Sequence, residues 1–272
     1  MNKKVTFACW PKPFNDKAEY YPFQKNALLS WKNLSITKNI IVIGNEDGNE
    51  EFCREHGFIF EPEVGELNSF GTPYLKSIFK QAYKYCEVGE PICYINSDIL
   101  LFEDFSTICD WFFDSELSKS NYLCAGQRWD WKKPKEIDLS EADWEEKIKP
   151  EIFANGELQP PYAIDYFLHK AHSYPVNDMP LLAMGRLHWD RWLVGYAVRN
   201  FDLVVDFSPL TYCIHHETSH MLDGKKIDKA AHTISDECKI NCSIDADYGM
   251  DINQSTHAAF IQNNSIKFLS KK

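Results

Sequence analysis

The sequence predicts an α/β fold with a mostly parallel sheet and helices on both faces. Three observations carry that expectation. Short apolar runs at 5–9, 40–43 and 58–60 show no polar alternation, as strands buried on both faces do not. Segments with helical spacing of apolar residues lie between them. Each strand ends in a polar or proline-stiffened loop, and the repeat of strand, loop and helix is the pattern of a parallel sheet.

The first strand, 5–9, runs into Trp10-Pro11-Lys12-Pro13-Phe14, where two prolines stiffen the loop. Residues 21–34 have helical spacing, with Phe23, Ala27, Leu28 and Trp31 on one side. The second strand, 40–43, exits through Gly44-Asn45-Glu46-Asp47-Gly48, and 49–56 form a short helix stopped by Gly57. After the third strand, Thr72 as N-cap with Pro73 at the first helical position predicts a helix to about residue 85. Such a helix start has free N–H groups to offer a phosphate, or simply caps itself.

The fourth strand is Pro91-Ile92-Cys93-Tyr94-Ile95-Asn96-Ser97-Asp98-Ile99-Leu100-Leu101-Phe102. A carboxylate inside an apolar run needs a cation, a donor or water, because burying it alone costs several kcal/mol. In an extended chain Asn96 and Asp98 point to one face, and two oxygen ligands there suit a hard divalent cation. For an isolated Asn-x-Asp, turn chemistry is the commoner explanation. A helix over 105–117 follows.

From 122 the texture changes. Residues 127–150 are polar, with Trp129, Trp131 and Trp144 interspersed, and read as an insertion or mobile segment over the sheet. Asp165 sits in a second apolar run, and residues 184–194 lead into a helix ending near Arg199-Asn200. A strand at 203–206 and a histidine-bearing edge strand at 212–217 complete the readable part. The expected organisation is one catalytic domain over 1–220, with a nucleotide-binding half at 1–105 and an acceptor-binding half at 106–220. Residues 221–272 form a C-terminal extension with no role apparent in the sequence.

At 272 residues with 44% hydrophobic and 25% charged residues, the chain can bury a sizeable core. A net charge of −11 and a pI near 5.3 argue against a nucleic-acid partner. They leave nucleotides open, since a bound metal supplies positive charge locally. Nine cysteines without a Cys-x-x-Cys read as reduced thiols and favour the cytosol. No apolar run reaches the roughly 18 residues of a membrane span, so membrane contact is expected to be peripheral at most.

Taken singly, the chemistry-bearing residues all have bland explanations. His215 or His216 with Asp98 would form a mixed oxygen and nitrogen metal set, yet a histidine in an apolar strand is commonly a satisfied core residue. Asp165 could cap a turn or pair with Lys170 or Arg186. Asp190, between Trp189 and Trp192 at a helix start, could be a favourable N-terminal carboxylate only.

Together they form a recognisable series. Pro11-Lys12-Pro13-Phe14, Gly71-Thr72-Pro73, Tyr94-Ile95-Asn96-Ser97-Asp98-Ile99, Ile164-Asp165-Tyr166-Phe167, Gly185-Arg186 with Trp189-Asp190, and Ile214-His215 occur in order over residues 1 to about 220. In this the chain resembles nucleotide-sugar-dependent glycosyltransferases of the GT-A fold, more narrowly a group of uncharacterised bacterial and plant GT-A-like proteins. The resemblance implies a Rossmann-like mixed, mainly parallel sheet flanked by helices, and a metal-dependent transfer of sugar to a hydroxyl in surface-polysaccharide or related glycan synthesis.

It also implies roles. Asp98, with Asn96 in place of a first acid, would hold Mn2+ or Mg2+ on the diphosphate of the donor, and His215 would be the late metal ligand. Pro11, Lys12, Asn45 and Glu46 would line the nucleoside pocket, and Thr72, Arg186 and Trp189 join the substrate-binding set. Asp190 falls where inverting members place the catalytic base, and Asp165 where donor sugar or acceptor is held. A glycan or lipid-linked glycan acceptor is the implied partner. The family usually continues Gln-Asn-His after the metal histidine, whereas here His216-Glu217-Thr218-Ser219-His220 follows, so His215, His216 and His220 all stay candidates. The alternatives are a sugar-nucleotide nucleotidyltransferase, a non-catalytic GT-A-like binding domain and a metal-dependent hydrolase. The first would be expected to open on a Gly-rich basic loop, which Trp10-Pro11-Lys12-Pro13 is not.

Overall fold

The computed structural model describes residues 3–132, 135–216, 220–222, 225–227, 235–263 and 265–271, with the backbone alone at 220–222 and 225–227. In chain order the elements are β1 (Val5–Cys9), α1 (Tyr21–Asn33), β2 (Thr37–Ile43), α2 (Asn49–His56), β3 (Ile59–Glu61), α3 (Leu75–Tyr83), β4 (Pro91–Ile95), β5 (Ile99–Leu101) and α4 (Glu103–Asp114). There follow β6 (Tyr122–Ala125), β7 (Arg128–Trp131), α5 (Trp144–Asn155), β8 (Gly156–Leu158), β9 (Tyr166–Lys170), α6 (Trp189–Asn200), β10 (Leu203–Asp206) and β11 (Cys213–His216). The last are β12 (His220–Leu222), β13 (Lys225–Ile227), α7 (Asp236–Asp245), β14 (His257–Gln262) and β15 (Ser265–Ser270).

A nine-stranded sheet in the order β15-β14-β10-β6-β9-β4-β1-β2-β3 forms the centre. It is mixed and mainly parallel: β4-β1-β2-β3 and β14-β10-β6 run parallel within each group, and antiparallel β9 joins them. The period-two alternation of strands sends Val5, Phe7 and Cys9 of β1 into one core with α1, α2 and α4. Ala8 goes to the opposite core with α3 and α6. All five β1 residues are buried, which is why the strand carries no polar side chain beyond Thr6.

Four sequence expectations are corrected. Thr72 does not cap α3, which starts at Leu75; the preceding segment folds back on itself, with the Thr72 N–H donated to Asn68 Oδ1 at 2.9 Å. Residues 91–102 are not one strand. Asn96-Ser97-Asp98 turn the chain, closed by the Ile99 N–H on the Asn96 carbonyl at 3.2 Å, and β5 enters a second sheet of order β5-β11-β7-β8. The described residues of the polar stretch 127–150 are not a loose insertion, because Arg128-Trp129-Asp130-Trp131 alternates as a strand and Trp144, Ile148 and Ile152 of α5 bury against Trp131. Finally, the histidine-bearing strand β11 is not an edge but is paired on both sides, by β5 and β7.

Beyond residue 220, β14 pairs with β10 and adds itself and β15 to the main sheet, while α7 packs beside α6. All nine cysteines are unpaired thiols, eight of them buried. Among the described residues no helix is long and apolar enough to cross a membrane.

Candidate active site

The loops leaving β1, β2 and β4 meet at the carboxyl ends of their strands, where open α/β sheets gather ligands. They enclose a cavity of about 430 Å³ whose wall includes Trp10–Pro13, Glu46, Asn96–Asp98, Arg128, Asp165, Gly185–Leu187, Asp190 and His215. Gln24, 1% exposed on α1, ties two of these loops together. Its amide oxygen accepts the Lys12 N–H at 2.8 Å and the Ser97 hydroxyl at 3.0 Å, and its amide nitrogen donates to the Lys12 carbonyl at 3.1 Å.

Strand register explains the polar centre. Parallel pairing of β11 with β7 sets His215 opposite Asp130, and the His215 Nδ1 to Asp130 Oδ1 distance is 3.0 Å. A proton on Nδ1 turns Nε2 toward Asp98, 3.6 Å from its Oδ2; a carboxylate orienting a histidine in this way is a recurrent support for metal ligands. Antiparallel pairing of β4 with β9 brings Ile95 opposite Tyr166. One residue further, Asn96 therefore meets Asp165 and donates to its Oδ1 at 2.6 Å. Arg128 joins the two halves, with Nε on Asp130 Oδ1 and Nη1 on Asp165 Oδ2, both at 2.9 Å.

The charges follow from these contacts. Burial alone would raise the Asp98 carboxyl, but the charge and hydrogen bond of His215, helped by Lys12 and Arg128, hold it well below the usual carboxylate range. Burial alone would lower His215, yet Asp98 and Asp130 carry it up to about 9. Asp190 has no cation in contact among the described residues; burial dominates and pushes it up to about 7. It accepts the Arg191 backbone N–H at 2.9 Å, a favourable first-turn contact. Trp189 beneath it is fixed edge-on to Tyr94, with ring centroids 5.7 Å apart.

Of the residues expected from sequence, Pro11, Lys12, Glu46, Asn96, Asp98, Asp165, Arg186, Trp189, Asp190 and His215 line this cavity. Asn45 and Thr72 do not. Asn45 is exposed on the loop after β2, and Thr72 is buried behind Arg186, whose Nη2 donates to its hydroxyl at 3.3 Å. Asn96 and Asp98 do not share a face as an extended chain would require, because the turn sends them to Asp165 and His215 respectively. His216 points away and is buried against Phe23 and Trp131; burial lowers it to about 3. The His220 side chain lies outside the described residues.

Arg128, Asp130 and Gln24 escaped sequence reading. The alternation in Arg128-Trp129-Asp130-Trp131 was the available signal for the first two; a buried glutamine in a helix offers none. Removing Arg128 leaves the buried Asp165 without its cation and Asp130 with His215 alone. Arg128→Met is therefore expected to cost on the order of 3 kcal/mol in a urea unfolding experiment, with Arg128→Lys intermediate because it replaces a fork by a point charge. An unchanged midpoint for Arg128→Met would contradict the bridging role.

The donor set fits a divalent cation held jointly with a ligand. Among the described residues no three His, Cys, Asp or Glu side chains converge into a closed metal site. Asp98 and His215 offer one oxygen and one nitrogen at a separation suited to neighbouring positions on a cation, which leaves coordination sites for phosphate oxygens. The cations of the wall are mostly committed: Arg128 to Asp130 and Asp165, and Arg186 to Glu237 at 2.6 Å. Among the described residues Lys12 meets no carboxylate, its ammonium lying 5.1 Å from the Tyr20 ring centroid. A diphosphate entering among Glu46, Asp98, Asp165 and Asp190 would meet Lys12, and a bound divalent cation would add the further positive charge that these carboxylates call for.

This architecture is the GT-A fold, the fold of nucleotide-sugar glycosyltransferases. The chain is similar to residues 1–349 of S. aureus TarS, crystallised with UDP-GlcNAc, at a TM-score of 0.52 and 14% identity over 80% of this chain and 60% of that one. It is likewise similar to glucosyl-3-phosphoglycerate synthase from Mycobacterium tuberculosis, crystallised with Mn2+, UDP and phosphoglyceric acid. There the TM-score is 0.50 and the identity 11%, over 98% of this chain and 86% of that one. The chain thus spans about three-fifths of the TarS structure. No protein-family model matches the sequence, and no curated protein matches it.

Proposed function

We propose that the chain is a metal-dependent glycosyltransferase that moves a sugar from a nucleoside-diphosphate donor to a hydroxyl acceptor with inversion, in glycan or surface-polysaccharide assembly. One observation carries the reading. An Asp98–His215 pair fit for a cation and a carboxylate with a pKa near 7, Asp190, line the same cavity at the carboxyl ends of β1, β2 and β4. The UDP-GlcNAc bound by TarS and the Mn2+ and UDP bound by the synthase support this class of donor and cofactor.

In this reading the loop of Trp10–Pro13 with Glu46 holds the nucleoside, and Lys12 lies over the phosphates. Asp98 and His215 would hold Mn2+ or Mg2+, which would supply Lewis-acid stabilisation of the leaving diphosphate. Asp190 takes the proton of the acceptor hydroxyl as its oxygen bonds to the anomeric carbon. The bond from that carbon to the diphosphate oxygen breaks, and its electron pair stays on the diphosphate. One in-line displacement inverts the anomeric centre. Asp165, held by Arg128 and Asn96, is placed to hold hydroxyls of the donor sugar or acceptor. The unpaired thiols support a reducing compartment such as the cytoplasm, and a glycan or lipid-linked glycan reached from the membrane surface is the acceptor class we favour.

A thermal-shift panel of UDP-, GDP-, CMP- and TDP-sugars with Mn2+ tests the reading. A ligand that binds only the folded chain adds about 2.7 kcal/mol at a hundredfold excess over its Kd, so one nucleotide class should raise Tm by several degrees. No shift with any of them would overturn it.

A further inference from the structure

Glu237, Asn241 and Asp245 are spaced by four on α7 and so share one face. All three are polar and buried, at 3%, 0% and 3% exposure, where a packed helix ordinarily presents apolar residues. Apart from Asn68 and Thr72, which also bond Glu237, their partners lie in one loop. Glu237 accepts from Arg186 Nε at 2.6 Å and from Asn68 Nδ2 at 2.7 Å. Asn241 accepts the Ala183 N–H at 2.8 Å and donates to the carbonyls of Ala183 and Leu187, each at 2.9 Å. Asp245 contacts His188 Nδ1 at 2.8 Å.

That loop, 183–188, supplies Gly185, Arg186 and Leu187 to the cavity wall and runs directly into Trp189-Asp190. His188, its last residue, has φ +77°, a conformation that costs a non-glycine residue of order 1 kcal/mol or more and persists only when its surroundings enforce it. The Asp245 carboxylate occupies a seat that glycine alone leaves open: a Cβ at Gly249 would lie 2.1 Å from its Oδ2.

We infer that α7 is a positioning element of the catalytic pocket, in which Glu237, Asn241 and Asp245 set the 183–188 loop and, through it, the place of Arg186 and of the Asp190 carboxylate. The inference rests on the transferase reading for its catalytic consequence. Among the described residues no hydrogen bond or ion pair joins Glu237, Asn241 or Asp245 to the donor-diphosphate side of the pocket, Asp98, His215 and the loop after β1, so its affinity should be unaffected.

Gly249→Ala, which displaces a side chain rather than backbone, and Asn241→Ser test this in the full chain. Sugar-nucleotide turnover, with water as acceptor where no other is identified, should fall about 10- to 100-fold, the effect of a displacement on the order of 1 Å. UDP affinity with Mn2+ should stay within about twofold, and amide exchange over 183–190 should rise while that of β1 and β4 is unchanged. Turnover at the wild-type level, or protection kept at 183–190, would overturn the inference, as would loss of UDP affinity without loss of turnover. Should the wild-type chain turn over no sugar nucleotide, the transferase reading falls and exchange alone decides: protection lost at 183–190 in both variants supports the positioning role, and protection kept refutes it.

Discussion

Asp190→Asn is expected to lower turnover by about 100-fold or more, the usual worth of a positioned general base, while leaving donor affinity nearly unchanged. The acceptor hydroxyl has a pKa far above neutrality and must shed its proton as it attacks. Of the three aspartates in the cavity wall, Asp190 alone has no cation in contact among the described residues, and burial raises it to about 7. Below that pH it carries a proton and cannot accept another, so kcat/KM of the wild type should fall on the acid side of about pH 7. The variant should lose this limb. The same shift predicts a gain in stability. A carboxyl whose folded pKa lies above its unfolded value of 3.8 costs stability as pH rises through that window, so Asp190→Asn should melt higher than wild type at pH 8. Full turnover in the variant would move the base elsewhere, to Asp165 first. A lower melting temperature would contradict the electrostatic account of Asp190.

Asp98→Ala has the second large expected effect. A unit charge about 4 Å from a phosphate oxygen, at an effective dielectric near 20, is worth roughly 4 kcal/mol. Losing one of the two protein ligands should therefore weaken metal-dependent binding of a nucleoside diphosphate by at least about 100-fold. Folding should survive, because the Asp98 side chain is 23% exposed and at the mouth of the sheet rather than within it. The substitution also removes one of the two acids that raise His215, so the His215 pKa, followed by NMR, should fall from about 9. Equal nucleotide affinity in the two proteins would remove Asp98 from the metal site.

Much of the parallel half was legible because buried strands leave a strong signal. Val5–Cys9, Asn49–His56 and Leu203–Asp206 stand at the residues where apolar runs and Gly57 place them. The candidate site was legible where an acid interrupts such a run, as at Asp98 and Asp165, or opens a helix, as at Asp190. What stayed hidden depends on pairing between distant segments. Arg128 and Asp130 look like part of a polar insertion until β7 lies beside β11 and puts Asp130 against His215. The turn at Asn96-Ser97-Asp98 overrides the extended geometry that would have aligned its two side chains, because β5 leaves for a second sheet. The segment after residue 220 looked uninformative because its helix buries a polar face, Glu237, Asn241 and Asp245, which hydropathy cannot distinguish from a solvated one.

The central claim is that this cavity binds a nucleoside-diphosphate sugar through a divalent cation held by Asp98 and His215. Calorimetric titration of the wild-type chain with UDP, and with the diphosphate of any other base that the thermal-shift panel selects, tests it most directly when done once with Mn2+ and once with a chelator. The account predicts saturable binding with Mn2+ that is lost in the chelator. Binding of equal affinity in both conditions would contradict it.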